Sequence, residues 1–186
     1  MENVSKVFKN PDMTSELETT FAGIKSDLKA PFVPNFFKVW GGAPESLQGI
    51  FPSMKHILAS GSLDRKLKEM IILSISAMNN CHYCVAAHQG FAMMMGVSQE
   101  TIESLKTNHK LPEGGTEKDK AAIAFALQLV KDSKSGTTEN VEHLESLGFS
   151  KAEVLEIIAV SGMSVYYNHL ADATQINIDE AFLGKA

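Results

Sequence analysis

Residues 62–88 read SLDRKLKEMIILSISAMNNCHYCVAAH. In the first half Leu63, Leu67, Met70, Ile71 and Ser74 recur at helical spacing, and Ser62 ahead of them has the side chain of an N-cap. Asn79-Asn80 breaks the pattern and is placed to cap a second helix, with Cys81 in its first turn. The stretch therefore predicts two consecutive helices joined by a short break. It also holds the only two cysteines of the chain, Cys81 and Cys84, followed by His88.

Working outward, the remaining patterns are helical as well. Thr116-Glu117-Lys118-Asp119 resembles a capping box ahead of a stripe of Ala122, Phe125, Ala126, Leu129 and Val130. Ser150-Lys151-Ala152-Glu153 is a better box and opens a helix with Val154, Ile157, Ile158, Ser161 and Val165 on one face. Gly41 to Pro44, Lys110 to Gly115 and Asp132 to Thr138 read as loops from their Gly, Pro and Ser content. Alternating apolar patterns joined by hairpin turns are absent. The expectation is an all-α, single-domain helical bundle over 1–186. It comprises an N-terminal extension of about 1–30, a site-bearing core of about 31–106 and C-terminal helices of about 116–183.

A length of 186 residues with 44% hydrophobic side chains suffices for one buried core. The 17 basic and 22 acidic residues give a net charge of −5, which argues against nucleic acid or an anionic membrane as partner. Met1 to Thr14 has no apolar run of the signal-peptide kind, and Met70 to Met78 is too short to span a bilayer. The expected location is cytoplasmic. In that reducing compartment a CxxC pair points to catalysis, redox exchange or metal binding in preference to a structural disulfide.

On one helix Cys81 and Cys84 share a face at i, i+3, within reach of a disulfide. His88 lies one turn beyond Cys84, where a neutral imidazole can take the thiol proton and an imidazolium can hold the thiolate. Glu69, one helix earlier, can orient His88 or relay its proton. The plainer reading, preferred on sequence alone, is an exposed Glu69 paired with Arg65. Zinc is the rival use of Cys81, Cys84 and His88, with His82 as a possible fourth ligand. A helical rise of ~1.5 Å per residue separates Cys81 from His88 by about 10 Å, too far for ligands at ~2 Å from one ion unless the first turn unwinds. No metal and no cofactor is expected. A purely structural cysteine pair remains the third option.

This set of residues resembles that of a known family. Glu69 followed by Cys81-x-x-Cys84-x-x-x-His88 is similar to the signature of the alkylhydroperoxidase D (AhpD)-like proteins, within the carboxymuconolactone decarboxylase family. Pro34-Asn35-Phe36-Phe37, Ala43-Pro44 and Tyr167-Asn168-His169-Leu170-Ala171-Asp172 resemble the longer, peroxidase-related members, so the likeness runs over about 30–180. It implies an all-helical fold assembled as a homo-oligomer, whether dimer, trimer or hexamer. It also implies an antioxidant thiol peroxidase acting on hydrogen peroxide or alkyl hydroperoxides, with a thiol or dithiol protein as reductant. In that scheme Cys84 attacks the peroxide, Cys81 resolves the sulfenic acid, and His88 and Glu69 relay protons. Some members carry a histidine just before the second cysteine; here Tyr83 takes that place, a poorer base near neutral pH.

The resemblance also admits a lactone-decarboxylating lyase, although that branch does not use paired cysteines, and the same residues suit a non-catalytic redox-sensing oligomer. Met93-Met94-Met95 and Trp40 with Phe36 and Phe37 read as packing in core and oligomer contacts. Tyr166, Tyr167, Asn168 and His169 border either the pocket or an oligomer interface. His56, His109 and His143 receive no role, and neither a phosphate-binding glycine loop nor a serine-nucleophile elbow is present.

Overall fold

In the computed structural model, which describes residues 3–183, the chain is one all-helical domain. Its helices are α1 (Ser15–Leu28), α2 (Asn35–Trp40), α3 (Pro44–Ala59), α4 (Arg65–Met78), α5 (His82–Met94), α6 (Gln99–Asn108), α7 (Glu117–Lys131), α8 (Thr138–Ser146) and α9 (Lys151–Ala173). Short 3-10 turns lie at Ser133–Ser135 and Glu180–Phe182. Among the described residues no strand forms, apart from an isolated bridge between Ser5 and Ile176 that ties the two ends together. The outermost positions of the single-domain reading, 1–2 and 184–186, lie outside the described residues.

The centre of the bundle is α4, buried at every position from Leu67 to Ser76 and packed against α5, α6, α7 and α9. A helix enclosed on all sides must satisfy its polar groups internally. Ser74 donates to the Met70 carbonyl, as Ser161 does to Ile157 and Ser164 to Val160 on α9. Lys68, 1% exposed, donates to the carbonyls of Ile57 (2.9 Å) and Ser60 (2.6 Å) and pairs with Glu156. The Glu156 carboxylate also accepts the backbone N–H groups of Ser62 (2.7 Å) and Leu63 (3.1 Å). This cluster corrects the expected cap: with the Ser62 loop engaged by Glu156, Asp64 is the N-cap of α4 and accepts from the Leu67 N–H.

Two further expectations change. Ser150 and Glu153 do form a full capping box, but Ile158 and Val165 are 37% and 40% exposed, and the buried stripe of α9 runs instead through Val154, Ile157, Val160, Ser161, Ser164, Tyr167 and Asn168. Met93 and Met94 are also exposed rather than core. Helix α8 adds an element within the expected C-terminal helical region.

Candidate active site

The junction of α4 and α5 sets the geometry. Asn80 adopts a left-handed backbone at φ 59, which asparagine tolerates, and the turn closes as a Schellman motif. The Asn80 N–H bonds the Ala77 carbonyl and the Cys81 N–H bonds the Ser76 carbonyl, at 3.1 and 2.9 Å. Cys81 is therefore itself the N-cap of α5, one position outside its first turn, and Cys84 is the residue within that turn. The expected assignment of Cys81 to the first turn and of the asparagines to the cap is corrected accordingly.

Both thiols are free and buried, Cys81 fully and Cys84 to 6% exposure. They interact: the Cys84 sulfur beside it, and then burial, hold the Cys81 thiol far above the ordinary thiol range, with Asp172 on α9 adding to the effect. Cys81 therefore holds its proton more firmly than an ordinary thiol does. His88 sits one turn past Cys84, and its Nδ1 lies 2.6 Å from Glu69 Oε2.

Glu69 is completely buried, which overturns the exposed reading, because α4 is the core helix and α5 covers this face. Its pairing with Arg65 is nonetheless real. Arg65 engages Oε1 while His88 engages Oε2, so the Arg65 pair and the His88 contact are present together. The His88 ring also meets Phe91 edge-on at 5.7 Å.

Tyr83 is placed elsewhere. Its hydroxyl donates to Asp179 Oδ2 at 2.8 Å and accepts the Phe36 N–H at 3.2 Å, so it is committed to the C-terminal segment and α2 instead of to Glu69 and His88. Burial, and then Asp179, hold its proton well above the usual phenol range. Asp179 accepts in addition from the Asn35 N–H, and burial raises its carboxyl above the ordinary carboxylate value. Nothing in the local sequence marks Asp179 as a tie point for the CxxC helix. Its partners come from residues more than a hundred positions away, at Asn35, and near the other end of the core, at Tyr83.

The Tyr166–His169 group divides by helix face. Tyr167 bonds the Ile50 carbonyl, and Asn168 joins Ser76 to Asn79, so both are internal braces and not oligomer contacts. Tyr166 and His169 are exposed. Among the described residues, no group of three or more His, Cys, Asp or Glu side chains could hold a metal ion. Among the described residues, no helix is long and apolar enough to cross a membrane.

Known proteins share this fold. The carboxymuconolactone decarboxylase family model matches residues 44–128, which contain Glu69, both cysteines and His88. The fold is similar to the AhpD core of a peroxidase-related protein from Ralstonia eutropha JMP134, with TM-score 0.87 and 22% identity over 98% of this chain and 96% of that one. It is similar to a peroxidase-related protein from Silicibacter sp. TM1040, with TM-score 0.86 and 21% identity over 98% and 95% of the two chains. The debrominase Bmp8, in complex with 2,3,4-tribromopyrrole, shares the fold at TM-score 0.75 and 22% identity over 96% of both chains. The uncharacterised protein YdfG of Bacillus subtilis (strain 168) is 21% identical over 70% of this chain and 88% of its own length. Residues 44–128 of the chain are therefore similar to the carboxymuconolactone decarboxylase family, and the chain has the fold of the AhpD-core structures.

Proposed function

We propose that the protein is a cysteine-dependent oxidoreductase that reduces hydrogen peroxide or alkyl hydroperoxides through a Cys81–Cys84 dithiol–disulfide cycle. The observation that carries this reading is the 2.6 Å contact between Glu69 and His88, with His88 one helical turn from Cys84 and Cys81 beside it. His88 takes the Cys84 proton, and the thiolate attacks the peroxide O–O bond. Sulfur gains oxygen as Cys84–SOH, and the leaving alkoxide or hydroxide takes the proton back from the imidazolium. The Cys81 thiol then displaces the sulfenic oxygen as water and closes the disulfide. A thiol or dithiol protein supplies the two electrons and two protons that restore both thiols by exchange. The raised Cys81 thiol suits the resolving part, because it keeps its proton until Cys84 has been oxidised. No metal or organic cofactor enters the cycle. Tyr83 contributes by anchoring the segment between the cysteines to Asp179.

A homo-oligomer, whether dimer, trimer or hexamer, is part of this proposal. It is supported by the exposed apolar row of Leu155, Ile158, Val165 and Tyr166 on α9. A reducing cytoplasmic setting fits a free dithiol. The deciding experiment is steady-state peroxide consumption with a dithiol reductant. Wild type is expected to turn over many times, Cys84→Ser to be inactive, and Cys81→Ser to stop at a sulfenic acid that a dione probe captures. A single turnover per chain would point to a redox sensor, and turnover of a lactone substrate that survives loss of both thiols would point to the lyase. The debrominase fold neighbour favours a second reading, in which the same thiolate removes a halogen from a haloarene. Sulfur takes the bromine with its positive charge, the ring carbon takes a proton, and Cys81 expels bromide as the disulfide closes.

A further inference from the structure

The Glu69 carboxylate is shut off from water, and each of its oxygens meets a different cationic group. Oε2 faces the titratable imidazole of His88, and Oε1 faces the guanidinium of Arg65, the first residue of α4, one turn before Glu69 and 35% exposed. The other cations of this helix are occupied or turned away. Lys66 is exposed, and the Lys68 ammonium is taken by the Ile57 and Ser60 carbonyls and by Glu156. On α5 the groups on the Glu69 side are His88 and, one turn before it, Cys84; from α9, Asp172 acts on Cys81.

We propose that Arg65 is a positioning residue of this site. It holds Glu69 as a carboxylate with Oε2 turned to His88, so that His88 keeps a proton on Nδ1 and leaves Nε2 free to serve Cys84. The physical argument is charge balance. A buried carboxylate whose only partner is an imidazole can exchange the shared proton with it, and either nitrogen of the ring can then end up bare. Guanidinium stays charged at any working pH and engages the second oxygen. The Glu69 charge is therefore balanced before His88 takes up or gives away a proton, and the tautomer of the ring is fixed. The inference rests on the reading of Cys84 as the reacting thiol.

The test is nitrogen-15 histidine NMR on the full chain, with the Cys84 alkylation rate by iodoacetamide read by tandem mass spectrometry. Both are measured for wild type, Arg65→Gln, Arg65→Met and Arg65→Lys. Wild type is expected to show His88 as the Nδ1–H form. Arg65→Gln and Arg65→Met, which keep the side-chain stem, should mix the tautomers and slow Cys84 by about tenfold, and Arg65→Lys should recover both properties to within about threefold. An Nε2–H tautomer in wild type overturns the inference. So does an unchanged tautomer in Arg65→Gln or Arg65→Met, or a rate lost equally in Arg65→Gln and Arg65→Lys with the tautomer intact. Absence of peroxide turnover in wild type, together with the expected tautomer change in the variants, supports the role of Arg65 and removes only the peroxidase reading.

Discussion

Replacing Glu69 by Gln separates the chemistry of this site from its contribution to the fold. The substitution keeps the shape of a fully buried side chain and removes its charge. Two opposing terms set the stability change. The charge-assisted hydrogen bond to His88 is worth about 1.5–3 kcal/mol. Against it stands the desolvation of a buried carboxylate, several kcal/mol, which the amide no longer incurs. Arg65, 35% exposed, keeps the amide oxygen as its acceptor, which turns the amide NH2 towards His88, and the rest of its charge is met by water. The net change is expected to stay within about 1 kcal/mol, or about 4 °C in melting temperature for a chain of this size. The chemical term has no such offset. A Gln amide facing His88 Nδ1 donates a hydrogen, so the imidazole must accept there and its proton moves to Nε2, where it blocks base function toward Cys84. Positioned acid–base groups contribute at least about 10²-fold, so the rate of Cys84 oxidation should fall by about that factor, equivalent to about 2.7 kcal/mol of barrier. Stopped-flow oxidation by hydrogen peroxide and calorimetry on the same preparation check both parts. A Glu69→Gln rate within threefold of wild type would refute the relay. A melting temperature lower by more than about 10 °C with all activity lost would make Glu69 a structural residue.

Other consequences concern the scaffold. Lys68→Ala leaves two carbonyls and the Glu156 carboxylate without their cation, and urea unfolding should show a loss of about 3–5 kcal/mol. Burial pushes the Glu156 carboxyl up, but the Lys68 ammonium and the Ser62 and Leu63 N–H groups outweigh it and hold the value below the ordinary one. That stabilisation is complete above the unfolded carboxylate value of about 4.3 and is lost as pH falls through the depressed folded value, so Glu156→Gln should flatten the acid side of the stability profile. Asn80→Gly should be tolerated within about 0.5 kcal/mol, whereas Asn80→Val, with a β-branched side chain at φ 59, should cost about 1–2 kcal/mol by thermal denaturation. If the α9 row is the oligomer contact, Ile158→Lys with Val165→Lys should yield monomers by light scattering, and an unchanged mass would exclude this face.

The sequence showed most plainly what depends on local spacing. The helices α4, α7 and α9, the capping box at Ser150 and the break at Asn79-Asn80 all rest on short-range signals, and each appears where expected. Ser62 failed as a cap because Glu156, ninety-four residues away, captures its backbone N–H, and no local pattern encodes that. The burial of Glu69 was hidden for a related reason: a glutamate one turn after an arginine looks like a surface pair until α5 covers it. The same holds for Tyr83, whose hydroxyl is fixed by Asp179 from the far end of the chain. Apolar side chains do not by themselves reveal which stripe is core, and on α9 the helix turns Ile158 and Val165 outward.

The most direct test of the central claim is to add one equivalent of hydroperoxide to the reduced protein and map its thiols by mass spectrometry. Loss of two hydrogens per chain and a peptide crosslinked between Cys81 and Cys84 are expected, formed stoichiometrically and reversed by a dithiol. Recovery of both cysteines as free, alkylatable thiols after the peroxide has been consumed or left untouched would contradict it.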